Sequence, residues 1–283
     1  MMVVVKKAAR EEGEYKMEIK LLEKNKDLTR LSFTLKGVDH AFVNSLRRYM
    51  INKVPTLAIE EVEFRKNSSA LYDEVVAHRL GLLPLTTDLK SYNLPENCKC
   101  KGVGCSQCQL KLTLKVKGPK TVYASDIKSA DPKVKPVFPE TPIVKLLKDQ
   151  EIEFVAIAIM GVGKEHIKWS PGLVYYKHNP SIKIVKNSFD NAEKVAEQCP
   201  VDVFSAKSNK LTLNNDNVMN CTLCNACVEA CSGEVTVEPE KDSFIFYVEA
   251  WGQLNAKDIV NQAMSVFNNA LDNLSDKIKD TAK

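Results

Sequence analysis

Nine cysteines stand in this 283-residue sequence, and eight of them fall into two tight groups. The first, Cys98, Cys100, Cys105 and Cys108, has the spacing C-x-C-x4-C-x2-C. Two close pairs of soft thiolates reach one tetrahedral zinc ion when the chain between them turns sharply. Gly102 and Gly104 permit that turn, because glycine adopts positive φ without steric cost. With all four positions filled by protein, no place remains for water or substrate, so such an ion braces a loop instead of catalysing. The plain alternative is a set of unpaired surface thiols, which their reactivity disfavours.

The second group, Cys221, Cys224, Cys227 and Cys231, reads C-x2-C-x2-C-x3-C. Bacterial-type ferredoxins hold [4Fe–4S] clusters on this run, and in two-cluster members the fourth cysteine of each run serves the other cluster. Cys199-Pro200 lies upstream, and a Cys-Pro pair is how a partner run ends, but the three earlier cysteines of that run are missing. One surviving cluster on Cys199, Cys221, Cys224 and Cys227 is therefore the favoured arrangement, with Cys231 left over. Ser232, where a full run has proline, fits a degenerate half. Three alternatives stay open: Cys231 as fourth ligand, a [3Fe–4S] cluster on fewer cysteines, and a bare zinc site. No flavin or nicotinamide fingerprint such as G-x-G-x-x-G accompanies the run, so a structural or redox-sensing role is favoured over electron transfer.

Other chemistry is missing from the sequence. Nucleotide polymerisation needs clustered carboxylates for two magnesium ions, and there is no Asp-x-Asp. There is no P-loop and no G-x-S-x-G. His40, His78, His166 and His178 are scattered and read as packing residues. If the chain serves an enzyme, a partner does the chemistry. Net charge is +4, yet residues 190–240 hold nine acids against three lysines, which argues against phosphate binding by the second cysteine group. Lys6 and Lys7 interrupt the opening apolar residues too early for a signal-peptide core, and the chain reads as cytoplasmic. Cysteines clustered in a reducing compartment point to metals, not disulfides.

The elements that must carry these sites follow from periodicity. Residues 1–14 show no apolar period and are expected to form a loose tail. Met17, Ile19 and Leu21, then Leu31, Phe33 and Leu35, alternate with polar residues around the turn Asn25-Lys26-Asp27, predicting a hairpin. Asp39 caps a helix whose Phe42, Val43, Leu46 and Met50 share one side, opposite Arg47 and Arg48, and which Pro55 ends. Short strands and one helix near 73–80 fill the stretch to about residue 170, with 132–142 expected as a surface loop. At the back, Phe244, Phe246 and Val248 mark a strand. A helix over 257–279 carries Ile259, Ala263, Val266, Phe267, Ala270, Leu271, Leu274 and Ile278 as a broad stripe. By itself such a stripe is more often ordinary core than a docking face. Hairpin and helix at the front, strand and helix at the back, suit one discontinuous domain interrupted by insertions.

Several segments together resemble a known family. They are Phe42-Val43-Asn44-Ser45-Leu46-Arg47-Arg48, the stretch from Val54-Pro55 to Glu61-Val62, His78-Arg79-Leu80-Gly81-Leu82-Leu83-Pro84-Leu85, and the stretch from Gly163-Lys164 to Ser170-Pro171. That family contains the archaeal D subunit of RNA polymerase, the third-largest subunit of eukaryotic RNA polymerase II and the bacterial α amino-terminal domain. The four-cysteine loop resembles the zinc loop of the eukaryotic relatives, and the ferredoxin-like insertion points to the archaeal branch. The resemblance implies an α+β fold with a discontinuous dimerisation domain (15–54 and 241–283), an inserted β-rich domain with the zinc loop (55–180) and a ferredoxin-like iron–sulfur insertion (181–240). It also implies a non-catalytic scaffold that pairs with subunit L through Phe42, Leu46 and Met50 of the front helix and Ile259, Ala263, Val266, Phe267, Ala270, Leu271 and Leu274 of the back helix. Subunits N and P would join the pair, the large catalytic subunits would dock on it, and DNA would be met only through the holoenzyme. The competing functions are an independent ferredoxin-type electron carrier and a zinc-dependent nucleic-acid binder.

Overall fold

A computed structural model describes residues 17–281, so the expected tail at 1–14 lies outside the described residues. The front hairpin forms as β1 (Glu18–Lys24) and β2 (Arg30–Lys36). It belongs to a four-stranded antiparallel sheet in the order β1-β2-β12-β9, where β9 is Gly172–Ile184 and β12 is Val235–Ala250. The two-residue period puts Phe33, Leu35, Val174, Phe244, Phe246 and Val248 on one face. Phe33 and Phe246 stack there at 5.1 Å.

Two helices cover that face. Helix α1 (His40–Asn52) starts at the Asp39 cap, whose carboxylate accepts from the Phe42 N–H at 2.8 Å, and it buries Val43, Leu46 and Met50. The back helix, α5 (Ala256–Thr281), buries Ala256, Ile259, Ala263 and Met264 in the same core. Phe267 packs its ring edge-on to both Phe42 (5.9 Å) and Tyr49 (4.8 Å) of α1. From Leu271 to Thr281 every residue of α5 is exposed.

The second core lies on another four-stranded antiparallel sheet, ordered β3-β8-β4-β6. Its strands are β3 (Pro55–Asn67), β4 (Gln109–Lys117), β6 (Lys128–Ser129) and β8 (Glu151–Val162). The central β8 buries every second residue, Ile152, Phe154, Ala156, Ala158 and Met160. Helix α2 (Asp73–Gly81) adds Val76 and Leu80, and the pair β5 (Lys120–Tyr123) and β7 (Pro142–Leu146) adds Val122, Val144 and Leu146. The passage 132–142 is not the plain surface loop expected. Val134 is fully buried, and the Val137 N–H donates to the Pro84 carbonyl at 2.9 Å, so the segment helps close this core.

Gly161 shows how tightly the family-like segment 163–171 is seated. A methyl group at its Cα would stand 2.4 Å from the Trp169 indole, itself buried with its N–H donating to the Ile159 carbonyl at 3.3 Å. Gly161→Ala is expected to cost about 1–3 kcal/mol of stability, read by chemical denaturation, because an overpacked core must shift backbone or rotamers. An unchanged denaturation midpoint would show that the indole is free to move.

The third core joins α3 (Ala192–Glu197), the hairpin β10 (Phe204–Lys207) and β11 (Lys210–Leu213), and α4 (Ala226–Glu229). It grows directly from the first sheet, because β9 and β12 run on together: Ile182 and Ile184 face Val237 and Val235 beyond a register shift between Pro239 and Phe244. The expected boundary of the zinc-loop insertion at residue 180 is corrected by this pairing. Residues 172–180 are strand partners of 239–250, so they belong to the first sheet, and the insertion ends near residue 172.

Candidate metal centres and docking face

The 3-10 turn Pro95–Asn97 delivers Cys98, and the Cys98 and Cys100 carbonyls then accept from Lys101 and Val103 at 2.9 and 3.2 Å. Lys101, Gly102 and Gly104 all take positive φ, reversing the chain so that Cys105 and Cys108 come back onto the first pair. Their sulfur atoms lie 3.4–3.8 Å apart across four of the pairs: Cys98 to Cys100, Cys98 to Cys105, Cys100 to Cys108 and Cys105 to Cys108. The edge of a tetrahedron with a Zn–S bond of about 2.3 Å is about 3.8 Å, so the donor set fits a single tetrahedral ion. A disulfide needs sulfurs about 2.0 Å apart, and all nine cysteines are free.

Electrostatics agrees with that geometry. The Gly104 N–H, and then the Cys108 thiol, donate to Cys100 and hold it down to about 6, while burial pushes Cys108 up to about 12. Four thiols this close cannot all ionise without a cation among them. Among the described residues this is the one group of metal-ligating side chains whose donor atoms all lie within 4.8 Å of one another.

The other five cysteines sit in and around the third core. Cys221 and Cys227 are buried, Cys199 and Cys231 are half-buried, and Cys224 is exposed. Leu223 and Asn225, on either side of Cys224, both take positive φ, so the chain curls around that residue. Burial first, and then the neighbouring Cys221 and Cys199 thiols, push Cys227 up to about 11, which puts these three sulfurs in one electrostatic neighbourhood. The Cys199 sulfur accepts from the Val203 N–H at 3.3 Å. Cys231 points elsewhere, donating to the Val228 carbonyl at 3.4 Å and lying 4.0 Å from the Val235 carbonyl. Lys177 of β9 also reaches this loop. Its ammonium donates to the Cys221 carbonyl at 3.1 Å, and burial holds it below the ordinary lysine range.

The helical stripe expected to meet a partner divides in two. Met50, Ile259 and Ala263 are fully buried in the chain's own first core and leave the expected docking set, because a side chain without accessible surface adds no area to an interface. Leu46 is nearly buried, at 3 % exposure, and floors a groove of about 410 Å³. Phe42 lines the same groove, while Val266, Phe267 and Ala270 are half-buried along α5. Leu271 and Leu274 are open to solvent at 46 % and 55 %. Sequence reasoning missed the opposite wall of the groove, where Ile19 and Leu21 of β1 are 60 % and 49 % exposed. Their alternation was visible, but alternation marks an apolar face without saying whether the chain itself covers it.

Comparison with known proteins bears on what this arrangement serves. Residues 59–172 match the RNA polymerase Rpb3/RpoA insert domain, whose end coincides with the start of β9. The chain is 38% identical to the DNA-directed RNA polymerase subunit Rpo3 of Methanosphaera stadtmanae over 91% of its own length and 97% of that protein. This chain belongs to the archaeal Rpo3 family of RNA polymerase subunits. Rpo3 of Methanosarcina acetivorans is 39% identical over 88% of the chain and 94% of its own length, and Rpo3 of Pyrococcus horikoshii is 37% identical over 88% and 93%. The sequence segments that resemble the family lie on α1, on β3, on α2 and the turn after it, and around Trp169. Among the described residues no helix is long and apolar enough to cross a membrane.

Proposed function

We propose that this chain is an assembly subunit of an archaeal DNA-directed RNA polymerase that builds the enzyme without performing its chemistry. The observation that carries the reading is an apolar face that no side chain among the described residues fills, the groove between β1 and α5 together with the bare stripe at Leu271 and Leu274. In this reading the face receives the smaller subunit L, giving a pseudo-symmetric heterodimer like the bacterial α pair. Obligate interfaces of this kind bury on the order of 2,000 Å² or more and are apolar at their centre. Subunits N and P join the pair, the large catalytic subunits dock on the platform, and DNA is met only through the holoenzyme. Membership in the Rpo3 family and the lack of an Asp-x-Asp motif support a non-catalytic role.

Zinc is proposed at Cys98, Cys100, Cys105 and Cys108, where it would cross-link the loop that precedes β4. A [4Fe–4S] cluster is proposed on Cys199, Cys221, Cys224 and Cys227, supported by the ligand spacing, by the packing of Cys199, Cys221 and Cys227 in one core and by the bonding of the Cys231 thiol to the Val228 carbonyl. Its role here is to order the third core. When bound, such a cluster supplies strong metal–thiolate bonds to a segment whose apolar core is small.

Co-expression with a subunit L homologue tests both parts. The two chains are expected to co-elute in a 1:1 complex on size analysis, with one zinc and about four irons per complex. A stable solitary monomer would reject the docking role, and a complex without iron would reject the cluster.

A further inference from the structure

Lys177 lies on the outer face of the first sheet, opposite Ile245 in the strand register and two residues beyond Tyr175. Its ammonium donates to the Cys221 carbonyl at 3.1 Å and stands 5.7 Å from the centre of the Tyr247 ring. That ring in turn stacks on Tyr175 at 4.9 Å. The 3-10 turn Val218–Asn220, which leads into Cys221, packs against β9. Among the described residues Lys177 forms no ion pair with a carboxylate, unlike Lys36, Lys66 and Lys115, each of which has a glutamate partner.

A partly desolvated cation without a counter-charge is unfavourable, and one carbonyl with one aromatic ring compensates only part of that. The residue it touches on the insertion is Cys221, the first cysteine of the run. Four thiolates around a dipositive cluster or ion carry a net charge of about −2. The missing counter-charge therefore has the sign and place that a metal–thiolate centre provides. We infer that Lys177 is a positioning residue for that centre: its charge stabilises the anionic group on Cys199, Cys221, Cys224 and Cys227, and its hydrogen bond ties the first ligand of the run to the platform sheet. The inference rests on the proposed cluster and adds to it a residue outside the cysteine motif. An adjacent positive charge favours the more negative, reduced form of an iron–sulfur cluster, so Lys177 also raises its reduction potential.

The test uses the full chain, reconstituted anaerobically with iron and sulfide, as wild type, K177M, K177Q and K177R. Iron content, the rate of iron loss to a chelator and the midpoint potential from a titration followed by electron paramagnetic resonance are measured. K177M is expected to lose iron about tenfold faster than wild type, the scale on which partners of ligands act, and to have a more negative midpoint potential. K177Q keeps a donor for the Cys221 carbonyl without the charge and is expected to resemble K177M in potential, whereas K177R is expected to remain near wild type in both readouts. Wild-type rates and potentials in K177M and K177Q would overturn the inference, and so would a K177R as impaired as K177M. Wild-type protein that takes up no iron would instead overturn the cluster reading itself, a result distinct from normal uptake that is indifferent to Lys177.

Discussion

Leu271→Glu combined with Leu274→Glu is expected to abolish pairing with the subunit L homologue while leaving the chain folded. Both side chains are about half exposed, on a part of α5 where every residue from 271 to 281 faces solvent, so neither contributes to the first core. Glutamate is a good helix former, and the helix itself should persist. In an apolar interface the same two residues would bury unpaired charges. Losses of a few kcal/mol at central positions make a fall in affinity of about a hundredfold or more the expected result, measured by co-elution and titration calorimetry. Ser265→Glu, at an exposed position on the other side of the helix, should leave pairing intact. A double variant that still co-elutes at micromolar concentration would place the partner somewhere other than this stripe.

Replacing Cys105 and Cys108 with serine is expected to remove zinc from the chain and unfold the loop that contains Cys98 to Cys108. The loop carries little apolar burial of its own beyond Cys98 and Cys108, and Val103 at its tip is 87 % exposed. Structural zinc makes on the order of 10 kcal/mol available to order such a segment. The damage should reach into the second core, because Cys108 is followed directly by β4, which pairs along its length with the central β8. Metal analysis should therefore read no zinc, limited proteolysis should cut within 98–108, and the thermal midpoint should fall. If the serine variant resists protease as well as the parent, the loop is ordered by its backbone hydrogen bonds alone and the ion is dispensable.

The clustering of the first four cysteines was legible in the sequence because spacing within a short segment is a local property. The four residues of the first group lie within eleven positions, and the two glycines that permit the reversal stand between them, so chain length and φ alone bring the sulfurs together. Cys199 was harder, since it joins Cys221 and Cys227 only through the packing of the third core. A Cys-Pro pair was the sole local sign of it. Lys177 left no sign at all, because nothing in the strand pattern of β9 distinguishes a lysine that meets a cysteine loop from one that meets water.

What the sequence determined by itself was the front hairpin and helix, the back strand and helix, the two cysteine groups and the family resemblance. Each depends on periods and spacings over a few to a few tens of residues. Burial was decided only by the tertiary structure. The stripe on the back helix is continuous in sequence, yet Ile259 and Ala263 lie inside the chain while Leu271 and Leu274 lie outside, because the sheet and α1 end before α5 does. A hydrophobic period records which face avoids water, and only the packed neighbours determine whether the same chain or another one provides the shelter.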